Sequence, residues 1–447
     1  MTATTATLEA REPSRAQLWL YRLGVPLLAV FTALLIGAIA MWATGSDPLV
    51  AYKGLIDGAF LKPRAFGETL VATTPYLLLA LGVGVGFKCG LFNIGVEGQY
   101  YIGQLTSVWV AVNLVGLPLY IHLPLVILAG MLGGGFWAAI PGFLKVRFGA
   151  HEVIVTIMMN WIAFLLADYL VGLKGPMHDP RASLPQSRPI LASAQLPRFN
   201  ELPALMADPA MRIGMALLLG IGLYLLLRLI LRYSFGGRFR KANQWLVLGI
   251  GAVLTVGTWL ALGNLVVFGG AFTDKASRLH GGFIIALVAA VFMWWLLYKT
   301  TFGFEIRTVG ANRDAARYAG INITRNVVMA MAISGALAGL AGAIEIIGLA
   351  RVLQSFFSAG YGFESIAIAL LANSHPLATI PSALLFGALR NGADLMELRS
   401  GVSKQMIAVV QGLIVMFVAA PAVIRWIYHI KAPRGEKSVS VTSGWGK

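Results

Sequence analysis

The residues best placed to do chemistry are concentrated in the segment 88–101, KCGLFNIGVEGQYY, where Asn93, Glu97 and Gln99 stand among glycines between two apolar stretches. A carboxylate accepts hydrogen bonds and a side-chain amide both donates and accepts them. Such groups are expensive in apolar surroundings unless they meet protein, water or a passing polar solute. Glu345, inside SGALAGLAGAIEIIGL (334–349), raises the same question, as does Asn373, which with Ser374, His375 and Pro376 interrupts the uncharged run 365–389. Spacing alone leaves two readings open. The amides could tie down helix ends while Glu97 meets headgroup water, and Glu345 could make a buried structural hydrogen bond. Alternatively, all five could line a path for a polar solute.

Enzyme chemistry has less support. Cys89 is the single cysteine, which excludes an intrachain disulfide and a cysteine metal cluster, and the six histidines are too scattered to suggest ligands. The phosphate-cradling pattern GxxxxGK[ST] is missing, so any ATP must be handled by another chain. No trio of nucleophile, base and acid stands out. The expected site therefore has no catalytic residue, no metal and no cofactor.

The elements that must position these residues are membrane helices. Of 447 residues, 58% are hydrophobic and only 12% charged, a composition that cannot fold around water-facing surfaces. The formal net charge of +16 would suggest nucleic acid in a soluble protein, but here the cations sit between apolar runs, as membrane topology requires. A crossing helix needs about 20 mostly apolar residues. Stretches 70–87, 153–173, 281–298, 326–344 and 406–424 qualify directly. The uncharged stretch 98–144 is too long for one helix and splits near Gly116, Pro118, His122 and Pro124. The two pieces of 365–389 are each short for a crossing and read as broken helices lining a cavity. Residues 23–43 form an uncharged 21-residue run, longer than a signal-peptide core, and so read as an uncleaved first span.

Apolar stretches 211–231 and 245–268 make a further pair, for about twelve spans in all. With a cytoplasmic N-terminus, Lys145 and Arg147, the cluster Arg232, Arg238, Arg240 and Lys241, and the cluster Lys299, Arg307, Arg313, Arg317 and Arg325 all fall on one side. Both termini are then cytoplasmic. The proline-rich stretch 174–208 becomes the largest external segment, long enough to cover an outer mouth or meet an external partner.

GLFNIGVEGQ, residues 90–99, resembles the signature of permeases in the branched-chain amino acid and ribose ABC transporter superfamily, and its intact GVEGQ is similar to the nucleoside importer branch. TFGFEIRTVGANRDAARYAGINITR, residues 301–325, resembles the family's cytoplasmic loop that docks on the ATPase. Gly310, Asn312, Ala315, Ala316 and Gly320 are the coupling residues it implies. A short helix presenting small residues and stopped by Gly320 fits a partner's groove. The small-residue pattern of 334–349 is a third match and permits close helix contact in lipid.

The resemblance covers about 48–433 and implies an all-α polytopic membrane protein with about 10 family-type helices. It breaks at 204–276, which reads as an inserted two-helix hairpin; an even number of crossings leaves downstream topology intact. The expected organisation is a cytoplasmic tail at 1–19, a permease domain at 20–433 with the coupling loop at 299–325, and a cytoplasmic tail at 434–447. The implied partners are an ABC ATPase subunit, a second, related permease subunit, an external substrate-binding lipoprotein and the lipid bilayer, with no nucleic acid. The implied location is the bacterial cytoplasmic membrane. The competing reading is an ion-coupled secondary transporter of small polar solutes, which would draw on Asp168, Glu97 and Glu345 to couple a gradient.

Overall fold

The computed structural model describes residues 15–61, 63–199, 201, 213–214, 217, 278–355 and 360–429. The expected hairpin at 204–276 and the positive cluster at 232–241 therefore lie outside the described residues, apart from 213, 214 and 217. Regular structure among the described residues is helical, with three isolated β-bridges. Contacts divide the chain into two compact units, residues 1–48 with 402–447, and 49–401.

In the first unit α1 (Arg15–Ala43) packs on α13 (Gln405–Ala419) and α14 (Pro421–Ile427). Ala29 and Ala33 lie one turn apart and are fully buried, which lets the helices approach closely. Thr32 Oγ1 pairs with the Tyr428 hydroxyl at 2.9 Å. The expected single span 406–424 is in fact two helices. Pro421 has no N–H to continue α13 and disfavours helical backbone at Ala420, whose ψ is 65°.

The second unit contains α2 (Pro48–Ile56, closed by a wide turn Asp57–Leu61), α3 (Pro63–Lys88), α4 (Val96–Asn113), α5 (Leu119–Phe148), α6 (Glu152–Val171), α7 (Gly282–Lys299), α8 (Thr301–Ala311), α9 (Arg313–Tyr318), α10 (Ile323–Ile344, continued by a wide turn Glu345–Ala350), α11 (Tyr361–Leu371) and α12 (Pro376–Ser400). Six of the described helices, α1, α3, α5, α6, α7 and α10, are long and apolar enough to cross a membrane. The protein is a polytopic membrane protein.

Helices α3 and α10 are mostly buried and form the centre of this unit, with α4, α5, α7, α11 and α12 around them. The outer helices turn apolar stripes outward. On α5, Leu125, Leu128, Leu132, Phe136 and Phe143 are exposed, and on α6 so are Trp161, Ile162, Leu165 and Tyr169. Water would not tolerate such stripes, whereas lipid does.

Glycine carries the tightest packing. A Cβ on Gly339 would lie 2.0 Å from the Gly130 carbonyl oxygen, and one on Gly134 would lie 2.3 Å from that of Gly335, so α5 and α10 meet backbone to backbone. Gly103 of α4 joins the same crossing, 2.4 Å from the Gly339 Cα on the same measure.

The split in 98–144 falls at 114–118, with Gly116 at φ 85°. Pro124 and His122 are not turn residues but lie inside α5; His122 is buried and pairs with Ser193 Oγ at 2.9 Å. In 365–389 the break falls at Asn373 and Ser374, both left-handed. Only the first piece is short: α12 runs 25 residues, because its charged half from Arg390 onward stays helical where hydropathy alone would have ended it.

The described part of the segment expected to be external, 174–199 and 201, is mostly irregular and stitched to other elements. Ser187 N–H donates to the Leu353 carbonyl at 2.8 Å, Leu196 N–H to Ile347 at 2.8 Å, and Phe199 N–H to Leu279 at 3.0 Å.

Candidate functional site

Helix α3 ends at Lys88, and Gly90 at φ 72° turns the chain sharply into the loop that precedes α4. Asn93 sets the shape of that loop. Its Oδ1 accepts from Gly95 N–H (3.0 Å) and from Gln99 Nε2 (3.0 Å), while its Nδ2 donates to Gln99 Oε1 and to Ser334 Oγ, both at 2.9 Å. All four hydrogen-bonding positions of the Asn93 side chain are thus occupied inside the protein. Asn93 and Gln99 form a buried amide pair that ties the loop to α10, as the first of the two readings left open by their spacing has it. Asn160 of α6 completes the clamp, accepting from Gly98 N–H at 2.8 Å and donating to the Ile94 carbonyl at 3.0 Å.

Glu97 is fully buried, and its Oε2 accepts from the N–H of Gly362 in the first turn of α11. A carboxylate at a helix N-terminus satisfies a backbone donor that the helix cannot satisfy itself. The contact is close: a Cβ on Gly362 would come within 2.6 Å of both Glu97 N and Oε2. Glu345 opens the wide turn that ends α10 and is buried, within electrostatic reach of Arg390 and Arg278. Asn373 lies elsewhere, exposed in the α11–α12 turn, where its carbonyl accepts from Lys88 Nζ at 3.1 Å.

The structure adds a cluster that the sequence reading missed, centred on Tyr361 at the head of α11. The Tyr361 ring meets Tyr76 of α3 edge-on at 4.9 Å and Tyr100 of α4 at 6.3 Å. The Arg390 guanidinium of α12 lies 4.3 Å from the Tyr361 ring centroid, and its Nη1 donates to the Tyr76 hydroxyl at 3.1 Å. That hydroxyl donates in turn to Glu364 Oε2, and Arg390 and Glu364 approach to 3.7 Å. The clue available in sequence was a pair of opposite charges, Glu364 and Arg390, bounding the uncharged run 365–389; both read as its ends.

A second group forms around 301–325. Thr300 Oγ1 caps α8, accepting from Gly303 N–H at 3.0 Å, and Asn312 Oδ1 caps α9, accepting from the N–H groups of Asp314 and Ala315 at 2.9 and 3.0 Å. Gly310 lies against the α3–α4 loop, where a Cβ would meet the Lys88 carbonyl oxygen at 2.1 Å. The two motif segments are therefore in direct contact. Gly320, at φ 74°, stops the chain after α9. Ala315 is exposed, but Ala316, expected on the same outward face, is fully buried beneath the helix. Tyr318, not singled out in the sequence, is 96% exposed.

Among the described residues no group of three or more His, Cys, Asp or Glu side chains could hold a metal ion.

Residues 66–419 match the family described as branched-chain amino acid transport system / permease component. The guanosine ABC transporter permease protein NupP of Bacillus subtilis is 35% identical over 407 residues, covering 90% of this chain and 94% of its own length. The nucleoside ABC transporter permease protein NupB of Lactococcus lactis is 31% identical over 92% of this chain and 93% of its own. The glucose ABC transporter permease protein TsgB13 of Haloferax volcanii is 30% identical over 88% and 86%. No solved structure matches the chain. With the signature loop clamped between α4, α6 and α10, a family match across more than three quarters of its length and relatives that align nearly end to end, the chain belongs to the branched-chain amino acid transport system / permease component family and is the membrane-spanning permease of an ABC transporter.

Proposed function

We propose that this permease imports nucleosides, taking them from an external binding lipoprotein while a separate ABC ATPase supplies the energy. The observation that carries the reading is the near full-length similarity to two permeases named for guanosine and nucleosides, together with an intact GVEGQ at the start of α4. The glucose permease is almost as similar, so glucose belongs in the test.

In this reading the permease sits in the bacterial cytoplasmic membrane beside a second, related permease subunit. Both termini face the cytoplasm, ten family-type helices cross the bilayer, and residues 204–276 add a hairpin. Loop 299–325 receives the ATPase. Exposed Ala315 and Tyr318 support that role, because a large exposed aromatic beside a small residue is the kind of anchor that fills a partner's pocket. The contact between Gly310 and the Lys88 carbonyl supports a direct route from the docking loop to the solute pathway. Asn93 and Gln99 frame that pathway, Glu97 and Glu345 govern its gating through α11 and the end of α10, and Asn373 sits at its cytoplasmic edge.

The test is uptake by the assembled transporter of labelled guanosine, uridine, glucose, ribose and leucine. Nucleosides are expected to be taken up at least tenfold faster than the others at equal concentration. Preference for glucose, ribose or leucine would overturn the solute assignment. Glu97→Gln is expected to slow nucleoside uptake, because a neutral amide holds the α11 N-terminus less firmly; unchanged uptake would remove Glu97 from gating.

A further inference from the structure

Tyr76 stands midway along the span Arg64–Lys88, about 18 Å from either end at 1.5 Å per residue. The groups around it therefore lie near the middle of a helix long and apolar enough to cross the membrane. There the Arg390 and Glu364 side chains keep 36% and 29% of their surface exposed. A charged side chain midway along a membrane span is costly against lipid, so a partly open ion pair belongs on a face that meets water or another polar surface.

The chemistry of that face is specific. The Arg390 guanidinium sits 4.3 Å from the Tyr361 ring centroid, Tyr76 and Tyr100 wall the Tyr361 ring edge-on, and Glu364 offers a carboxylate beside them. The Tyr100 hydroxyl, fully buried on the same cluster, has no hydrogen-bond partner. Gln104 Oε1, one turn further along α4, is likewise buried and unpartnered. Unmet polar groups of this kind are rare and call for a partner the protein itself does not supply.

We propose that Arg390 and Glu364, backed by the buried Tyr361 ring, form the solute contact halfway across the membrane, an inference that rests on the nucleoside reading above for the identity of the solute. A planar heteroaromatic base stacks on the outer face of the guanidinium, and Glu364 accepts hydrogen bonds from ribose hydroxyls or an exocyclic amino group. The guanidinium is balanced by Glu364, so a phosphate finds no uncompensated cation, and the contact passes nucleosides in preference to nucleotides.

The test uses the whole transporter in cells, with the permease carrying Cys89→Ser and Glu364→Cys. A charged, membrane-impermeant methanethiosulfonate reagent is expected to label position 364 at least tenfold faster than the background without cysteine. Saturating guanosine is expected to slow the labelling at least fivefold, with leucine and guanosine monophosphate without effect. Absence of labelling would overturn the proposal by closing this face to water, and labelling that no transported solute slows would overturn the contact. Protection by glucose or ribose instead would keep the contact and overturn the nucleoside reading. Glu364→Gln supplies a second measurement: a rise of about tenfold in KM is expected, on the scale of one charged hydrogen bond. A fall in maximal rate with KM unchanged would mark the pair as structural and overturn the proposal.

Discussion

Replacing Gly339 by leucine is expected to abolish folded permease. A Cβ at this position would lie 2.0 Å from the Gly130 carbonyl oxygen and 3.2 Å from the Gly134 Cα, so the Cβ itself meets the α5 backbone and no rotamer relieves it. Overpacking a yielding core typically costs about 1–3 kcal/mol, and separating two helices in backbone contact exceeds that range. The consequence reaches the signature loop, because Asn93 is anchored on Ser334 of the same helix, α10. The measurement is the yield of monodisperse protein in mild detergent, with Gly412→Leu as control; a Cβ there meets nothing within 4 Å. Gly339→Leu is expected to leave less than a tenth of the parent yield and Gly412→Leu most of it. Equal yields would contradict the packing described for α5 and α10.

Ala315→Asp and Tyr318→Ala are expected to uncouple transport from ATP hydrolysis while leaving the permease inserted. Both residues are exposed on α9, so neither change disturbs the protein's own packing. A new carboxylate on a small docking face, or loss of an anchoring ring, costs about 2 kcal/mol or more at a central interface position, roughly 30-fold in partner affinity. ATP-driven uptake is expected to fall at least tenfold in each variant with membrane abundance at parent level. Uptake within twofold of the parent would remove α9 from the coupling surface. Ala316 is not a suitable probe: it is fully buried, and Ala316→Asp would unseat α9 itself.

The long apolar spans were legible because hydropathy acts over twenty residues at a time. Stretches 70–87 and 326–344 lie within single helices, and 153–173 and 281–298 each overrun one helix by no more than two residues. What eluded the sequence were places where a local signal was outvoted. Met406 to Ile424 reads as one apolar run, yet Pro421 breaks it. Helix α12 continues ten residues beyond Arg390, because that charge finds Tyr76, Tyr361 and Glu364 to neutralise and cover it.

The site divides in the same way. The motif 90–99 was readable as a special loop, but its internal accounting was not: Asn93 and Gln99 bond to each other across six residues, and Ser334, the third member, is 241 residues away. Tyr76, Tyr361, Glu364 and Arg390 belong to three helices brought together only by folding. None of them is unusual in its own stretch of sequence. Ala316 shows the converse, a small residue whose type fitted a docking face but whose position on α9 turns it inward.

The central claim, that this chain moves solute only as the permease of an ATP-driven importer, is tested most directly in proteoliposomes holding the permease with its ATPase and second permease and supplied with the binding protein. Guanosine uptake is expected to require both ATP and the binding protein, and to be lost when either is withheld. Uptake that persists without ATP and follows an imposed proton or sodium gradient would contradict the account.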